Sequence, residues 1–237
     1  MSAVELADVV ARWQFSGATQ TLNSVQRQAL RAITDCRTPK LGRHAQRCDE
    51  CAALTIHYHS CRNRHCPKCQ AIKRQRWVDA RTADLLPVAY FHLVFTVPHG
   101  LNPLMQRHPT LLYATLFDTV ASTLKTFGAD PRWLGGELSA TLVLHTWTQT
   151  LEPHVHIHAL VAAGALTPQR QWRHARRGFL FPVRALSRVF RGKFLGALNA
   201  LNQSGRLAFT DEQAQACLLY TSPSPRDATL SRMPSSA

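Results

Sequence analysis

A chain of 237 residues with 28 lysines and arginines against 14 aspartates and glutamates carries a formal charge of +14, and its pI lies near 10.3. That balance predicts a polyanionic partner. DNA is favoured over an anionic membrane, because each phosphate neutralised releases condensed counterions. With no apolar run of about eighteen residues and no charged-then-apolar leader, neither a spanning helix nor a secretory signal is expected. The protein is therefore expected in the cytoplasm, away from membranes, where its seven cysteines serve metal or thiol chemistry rather than a disulfide framework.

In chain order, Leu22, Val25, Ala29, Leu30 and Ile33 recur at helical spacing behind a cap at Asn23 or Ser24, which predicts an amphipathic helix leading into Cys36. Two knuckles follow, Cys48-x2-Cys51 and Cys66-x2-Cys69. Their spacing predicts four thiolates around one zinc ion, which would stabilise a segment too small to bury a sufficient core by on the order of 10 kcal/mol. Cys36, His44, Cys61 and His65 remain. They are open to two readings: a second tetrahedral site, or buried thiols with phosphate-facing imidazoles. Arg62, Arg64 and Lys68 crowd the second knuckle, the donor chemistry that grips DNA phosphates.

Beyond the knuckles, 71–86 reads as a helix closed by Pro87, and 88–97 as a strand ending at the turn Pro98-His99-Gly100. A long helix is expected over 101–127, stopped by Gly128 and Pro131, then a strand over 138–147. In Pro153-His154-Val155-His156-Ile157-His158-Ala159 the histidines alternate with aliphatic residues. A strand sends alternate side chains to opposite faces, so the three imidazoles share one side while Val155, Ile157 and Ala159 face a core. Neutral imidazoles at i and i+2 can share a metal ion. A short strand at 179–182 and a helix over 186–201 complete an α+β pattern.

Cys36-Arg37-Thr38 with Gly42 and His44, Arg47-Cys48-x2-Cys51 and Cys61-Arg62-Asn63-Arg64-His65-Cys66-Pro67-Lys68-Cys69 together resemble the zinc-binding domain of bacterial rolling-circle transposases of the insertion-sequence ninety-one family. Phe95-Thr96-Val97-Pro98-His99, and His145-Thr146-Trp147-Thr148-Gln149 through His158-Ala159-Leu160-Val161, resemble that family's catalytic domain. The resemblance runs from about residue 22 to about residue 216. It implies an N-terminal zinc-binding module followed by an HUH-endonuclease-like antiparallel sheet with flanking helices. It implies a function as well: binding single-stranded transposon ends, with metal-dependent nicking and strand transfer by an attacking tyrosine.

Family spacing selects His156-Ile157-His158 as the metal pair, leaving His154 as a phosphate-facing neighbour or an additional ligand. Gln149 is the expected third ligand and His145 its alternative. Magnesium or manganese is expected there, as in phosphoryl-transfer sites, with zinc open. No Tyr-x3-Tyr pair occurs, and Tyr220 is the single tyrosine that follows the histidine strand. It lies in a Ser/Pro-rich stretch from Cys217 onward that resembles translated sequencing-adapter text. The expected organisation is a helical lead at 1–35, a zinc-binding module at 36–70, an incomplete catalytic domain at 71–216 and a non-native tail at 217–237. A non-catalytic zinc-dependent DNA-binding protein is the alternative reading.

Overall fold

The computed structural model describes residues 4–15, 22–150, 152–176, 178–208 and 231–232. Tyr220, Cys217 and nearly all of the expected tail lie outside the described residues. The chain divides into two compact units, 1–85 and 86–237.

The first unit holds α1 (Leu6–Phe15), α2 (Ser24–Asp35), the antiparallel pair β1 (Arg43–Arg47) and β2 (Leu54–Tyr58), and α3 (Pro67–Ala83). Asn23 caps α2 as the sequence suggests. Its side chain accepts the Gln26 amide while the Gln26 side chain accepts the Asn23 amide, each at 2.9 Å, so two orphan donors of the first turn are satisfied reciprocally. Very little apolar surface is buried in this unit. Ile33, Cys36 and Cys66 form its cluster, with Ala7, Cys61 and Cys69 packed around them, and every residue of β1 and β2 is exposed.

The second unit is built on a sheet of β3 (Tyr90–Thr96), β4 (Glu137–Trp147) and β5 (Pro153–Leu166), all antiparallel neighbours in the order β4-β5-β3. Short strands β6 (Trp172–His174) and β7 (Ser231–Arg232) pair with β5 and β3 respectively. Gly164 of β5 is required where β6 crosses, because a Cβ there would lie 2.5 Å from the Trp172 ring. Helices α4 (Asn102–Arg107) and α5 (Pro109–Ala129) connect β3 to β4, and α6 (Val183–Gln203) follows β6.

The single helix expected over 101–127 is therefore two. Pro109 lacks an amide proton and forces the preceding residue out of the helical region, and His108 accordingly takes φ −124° and ψ 53°. The strand expected at 179–182 does not form. Leu180 and Phe181 are buried there in irregular backbone, and the additional strand is β6.

The core explains which sheet face carries chemistry. Leu112, Leu116, Val120 and Leu124 repeat every fourth residue along α5, as do Leu186, Phe190, Phe194 and Leu198 along α6. Both stripes join one cluster with Phe91, Leu93 and Phe95 of β3 and Val155, Ile157, Ala159 and Val161 of β5. Alternation then sends His154, His156 and His158 to the opposite face. Truncating fully buried Phe194 to alanine is expected to cost about 3–5 kcal/mol through lost burial and the residual cavity, seen as a lowered denaturant midpoint for this unit; an unchanged midpoint would contradict the core described.

Candidate metal centres

Four thiols meet in the first unit: Cys36 at the end of α2, Cys61 after β2, and Cys66 and Cys69 at the start of α3. Their sulfur atoms all lie within 4.8 Å of one another, with Cys36 Sγ to Cys69 Sγ at 3.5 Å and Cys61 Sγ to Cys69 Sγ at 3.6 Å. Zn–S bonds near 2.3 Å in a tetrahedron require sulfur separations of about 4 Å, so the group fits a structural zinc. Two backbone amides already point at the sulfurs: Cys61 N donates to Cys36 Sγ and Asn63 N to Cys61 Sγ, each at 3.5 Å. Arg37 and Arg62, immediately after two of the cysteines, hold φ of 58° and 53°.

This set replaces the one expected from knuckle spacing. Cys66 and Cys69 partner Cys36 and Cys61 rather than Cys48 and Cys51, and His44 and His65 do not join them. Cys48 and Cys51 sit exposed in the β1–β2 turn. Amides of Cys51 and Glu50 hold the Cys48 thiol below its usual range, but among the described residues no third ligand completes a group there. His44 stacks on His57 with ring centroids 5.2 Å apart. His65 is exposed, with Nε2 3.2 Å from Arg64 Nε. Chain order misleads here because a tetrahedral site selects by where backbone elements converge, and C-x2-C marks only half of one.

Proton distribution within the four thiols is uneven. Burial, then the Cys69 and Cys36 sulfurs, pushes Cys61 up to about 12 despite the Asn63 amide. Cys36 is raised chiefly by burial. Burial opposes ionisation of Cys69 too, yet hydrogen bonds from Cys36, Cys61 and the Arg62 amide outweigh it and bring Cys69 down to about 7.

Three imidazoles meet in the second unit. His145 of β4 lies directly opposite His156 of β5, and ligand nitrogens of His145, His156 and His158 lie within 4.8 Å of one another. An all-imidazole set suits a divalent transition metal. The structure thus brings the alternative third residue, His145, to the pair, whereas Gln149 is exposed in the turn after β4. His154 shares the face but stands outside the group; its ring stacks on His99 at 4.8 Å, next to Asn102, whose Nδ2 donates to the Pro153 carbonyl at 2.7 Å and pins the start of β5.

Both paired histidines are kept neutral, the form that binds metal. Burial lowers His156, assisted by His145. Burial, then the charges of His145, His156 and His92, lowers His158 to about 4. His92, in β3, was not singled out from sequence, although it stands at an alternating position of a strand: its Nε2 lies 2.7 Å from His158 Nδ1. Just past His145, a register break precedes Trp147, whose indole runs parallel to the His145 ring at 5.8 Å and is half exposed. Of the expected DNA contacts, Arg62 and Arg64 are exposed, and Lys68 pairs with Glu5 at 2.5 Å.

Known proteins similar to this chain agree in kind. The family profile described as a transposase zinc-binding domain matches residues 8–97, and one described as a putative transposase matches residues 139–223. A relative from Sinorhizobium fredii named "Putative transposase y4qJ" is 42% identical over 211 residues, covering 88% of this chain and 53% of the relative. The transposase for insertion sequence element IS801 of Pseudomonas savastanoi pv. phaseolicola is 30% identical over 155 residues, covering 65% and 37%. The chain therefore spans about half the length, or less, of these relatives. Among solved structures, a metal-bound conjugative relaxase TrwC in complex with OriT DNA aligns over 57% of this chain and 65% of its own, at 12% identity and a TM-score of 0.38. No helix among the described residues is long and apolar enough to cross a membrane. The zinc-binding profile over the four-cysteine unit, the transposase profile over the histidine strand and the two transposase relatives place the chain in the insertion-sequence ninety-one family of transposases.

Proposed function

We propose that this chain binds single-stranded transposon-end DNA and contributes the metal half of a strand-nicking and strand-transfer site, with zinc holding the N-terminal unit and, on the β5 face, a divalent ion for which the three imidazoles favour manganese over magnesium. The observation that carries the reading is the convergence of His145, His156 and His158 on the sheet face opposite the core cluster, in a chain of charge +14. A divalent ion there would supply Lewis acidity toward a phosphoryl oxygen. The protein's own groups hold neutral nitrogens in place and offer an exposed aromatic ring. That ring, Trp147, supports the single-strand preference, since its free face suits an unstacked base. His154 and the exposed Arg62 and Arg64 are assigned to phosphate contact.

None of the described tyrosines is assigned as nucleophile. The Tyr90 hydroxyl accepts the Leu86 amide at 2.8 Å, Tyr113 packs on the core, and Tyr58 belongs to the first unit. That observation favours a second reading in which this chain acts as a zinc-dependent DNA-binding protein.

Fluorescence anisotropy with a labelled single-stranded oligonucleotide, in chelator sufficient to strip the β5 site but not the zinc, tests the binding claim. Affinity is expected to fall by about 0.7 log unit per decade of salt for each phosphate neutralised, and Trp147→Ala is expected to weaken single-strand binding about tenfold. Salt-independent binding, or an unchanged affinity in both Trp147→Ala and Arg62→Ala/Arg64→Ala, would refute the assignment of these surfaces.

A further inference from the structure

His158 can serve a metal through only one nitrogen, and the structure shows what occupies the other. Its Nδ1 faces His92 Nε2 at 2.7 Å, with the two rings nearly parallel, 6° apart in plane and 4.9 Å between centroids. The register makes this a diagonal contact: Val94 stands opposite His158 while His92 stands opposite Leu160, on the same face of the sheet. His156 is treated the same way by a different group. Its Nδ1 lies 3.0 Å from the His154 carbonyl oxygen, which can only accept, so Nδ1 of His156 carries the proton and Nε2 is left for a ligand.

We propose that His92 is a positioning residue that accepts the Nδ1–H of His158, fixing that ring's tautomer and plane so that Nε2 of both paired histidines is presented to the metal. The inference rests on the metal-binding reading above. For His92 to accept at Nε2, its own proton resides on Nδ1. The acceptor is then a neutral ring rather than the carboxylate or carbonyl that more often backs a metal-bound histidine. A neutral acceptor would leave His158 a weaker electron donor toward a metal than a carboxylate-backed histidine.

Two substitutions separate the hydrogen bond from the packing. His92→Phe keeps a flat ring against His158 but has no acceptor; His92→Gln places an amide oxygen near the position of the imidazole Nε2. Long-range proton–nitrogen NMR correlations on the 237-residue chain at pH 8, without divalent metal at the β5 site, read the His158 tautomer directly. The expected result is Nδ1–H in the native chain and in His92→Gln, and a shift toward Nε2–H, the form favoured in water, in His92→Phe. Manganese titration followed by electron paramagnetic resonance should show affinity falling about ten- to hundredfold in His92→Phe and recovering in His92→Gln. Nε2–H in the native chain, or an identical tautomer and manganese affinity in a folded His92→Phe, would overturn the proposal. Absence of manganese binding in the native chain with the Nδ1–H tautomer intact would instead defeat the metal reading and leave the role of His92 in orienting the ring standing.

Discussion

Cys66→Ser is expected to unfold the N-terminal unit, detected as loss of one bound zinc per chain by metal analysis and as loss of amide-exchange protection in α2 and α3. The effect is large because little else holds this unit together. Its buried cluster consists of Ile33, Cys36 and Cys66, and full burial of an aliphatic side chain stabilises by only about 1.5–3 kcal/mol. A structural zinc contributes about 10–16 kcal/mol at neutral pH. Removing one of four thiolates forfeits most of that, and Cys66 is the residue from which α3 starts, with Pro67 at its first turn. The double variant Cys48→Ser/Cys51→Ser provides the contrast. Those thiols are exposed and stand apart from the four-cysteine group, so it should retain the zinc and the fold. If that variant lost zinc while Cys36→Ser kept it, the ligand set given by knuckle spacing would be right and the one given by the structure wrong.

His156→Ala/His158→Ala is expected to abolish divalent-metal binding in the second unit while leaving zinc content and the fold of the first unit unchanged. One histidine ligand of three would remain, and a site of that kind does not hold magnesium or manganese against water. Isothermal titration with manganese reads the loss; unchanged metal content would remove the basis for nicking chemistry on this face. The same histidines give the metal-free protein a pH dependence of definite sign. His158 titrates at about 4 in the folded chain and at about 6.5 when unfolded. Between those values the unfolded chain binds the extra proton and the folded chain does not, so stability falls as pH drops from about 6.5 toward 4. His156 is lowered as well and adds in the same direction. In the double variant that part of the pH dependence should flatten, measurable as a smaller change of denaturant midpoint between pH 7 and pH 5.

Periodicity determined a good deal of this protein from sequence alone. The repeat at Leu22, Val25, Ala29, Leu30 and Ile33 placed α2 to within a few residues, down to its Asn23 cap. The alternation at 153–159 placed β5 and put Val155, Ile157 and Ala159 inward and His154, His156 and His158 outward. Such local features are legible because they depend on 3.6-residue and two-residue repeats within one segment. The break at Pro109 lies inside an apolar pattern that continues on both sides, so the periodicity alone predicts one helix where two form.

Tertiary structure alone decided which candidate ligands stand together, because a coordination sphere is a statement about distance in space. Cys36 and Cys61 are 25 residues apart, yet α2, the segment after β2 and the start of α3 bring them to Cys66 and Cys69, while the conspicuous Cys48-x2-Cys51 pair is carried off on the hairpin turn. The antiparallel pairing of β4 with β5 set His145 opposite His156 and gave it the place that sequence order assigned to Gln149. His92 was invisible for the same reason: 66 residues separate it from His158, and only the β3–β5 ladder, with its fixed register and the short diagonal reach across one face, makes them neighbours.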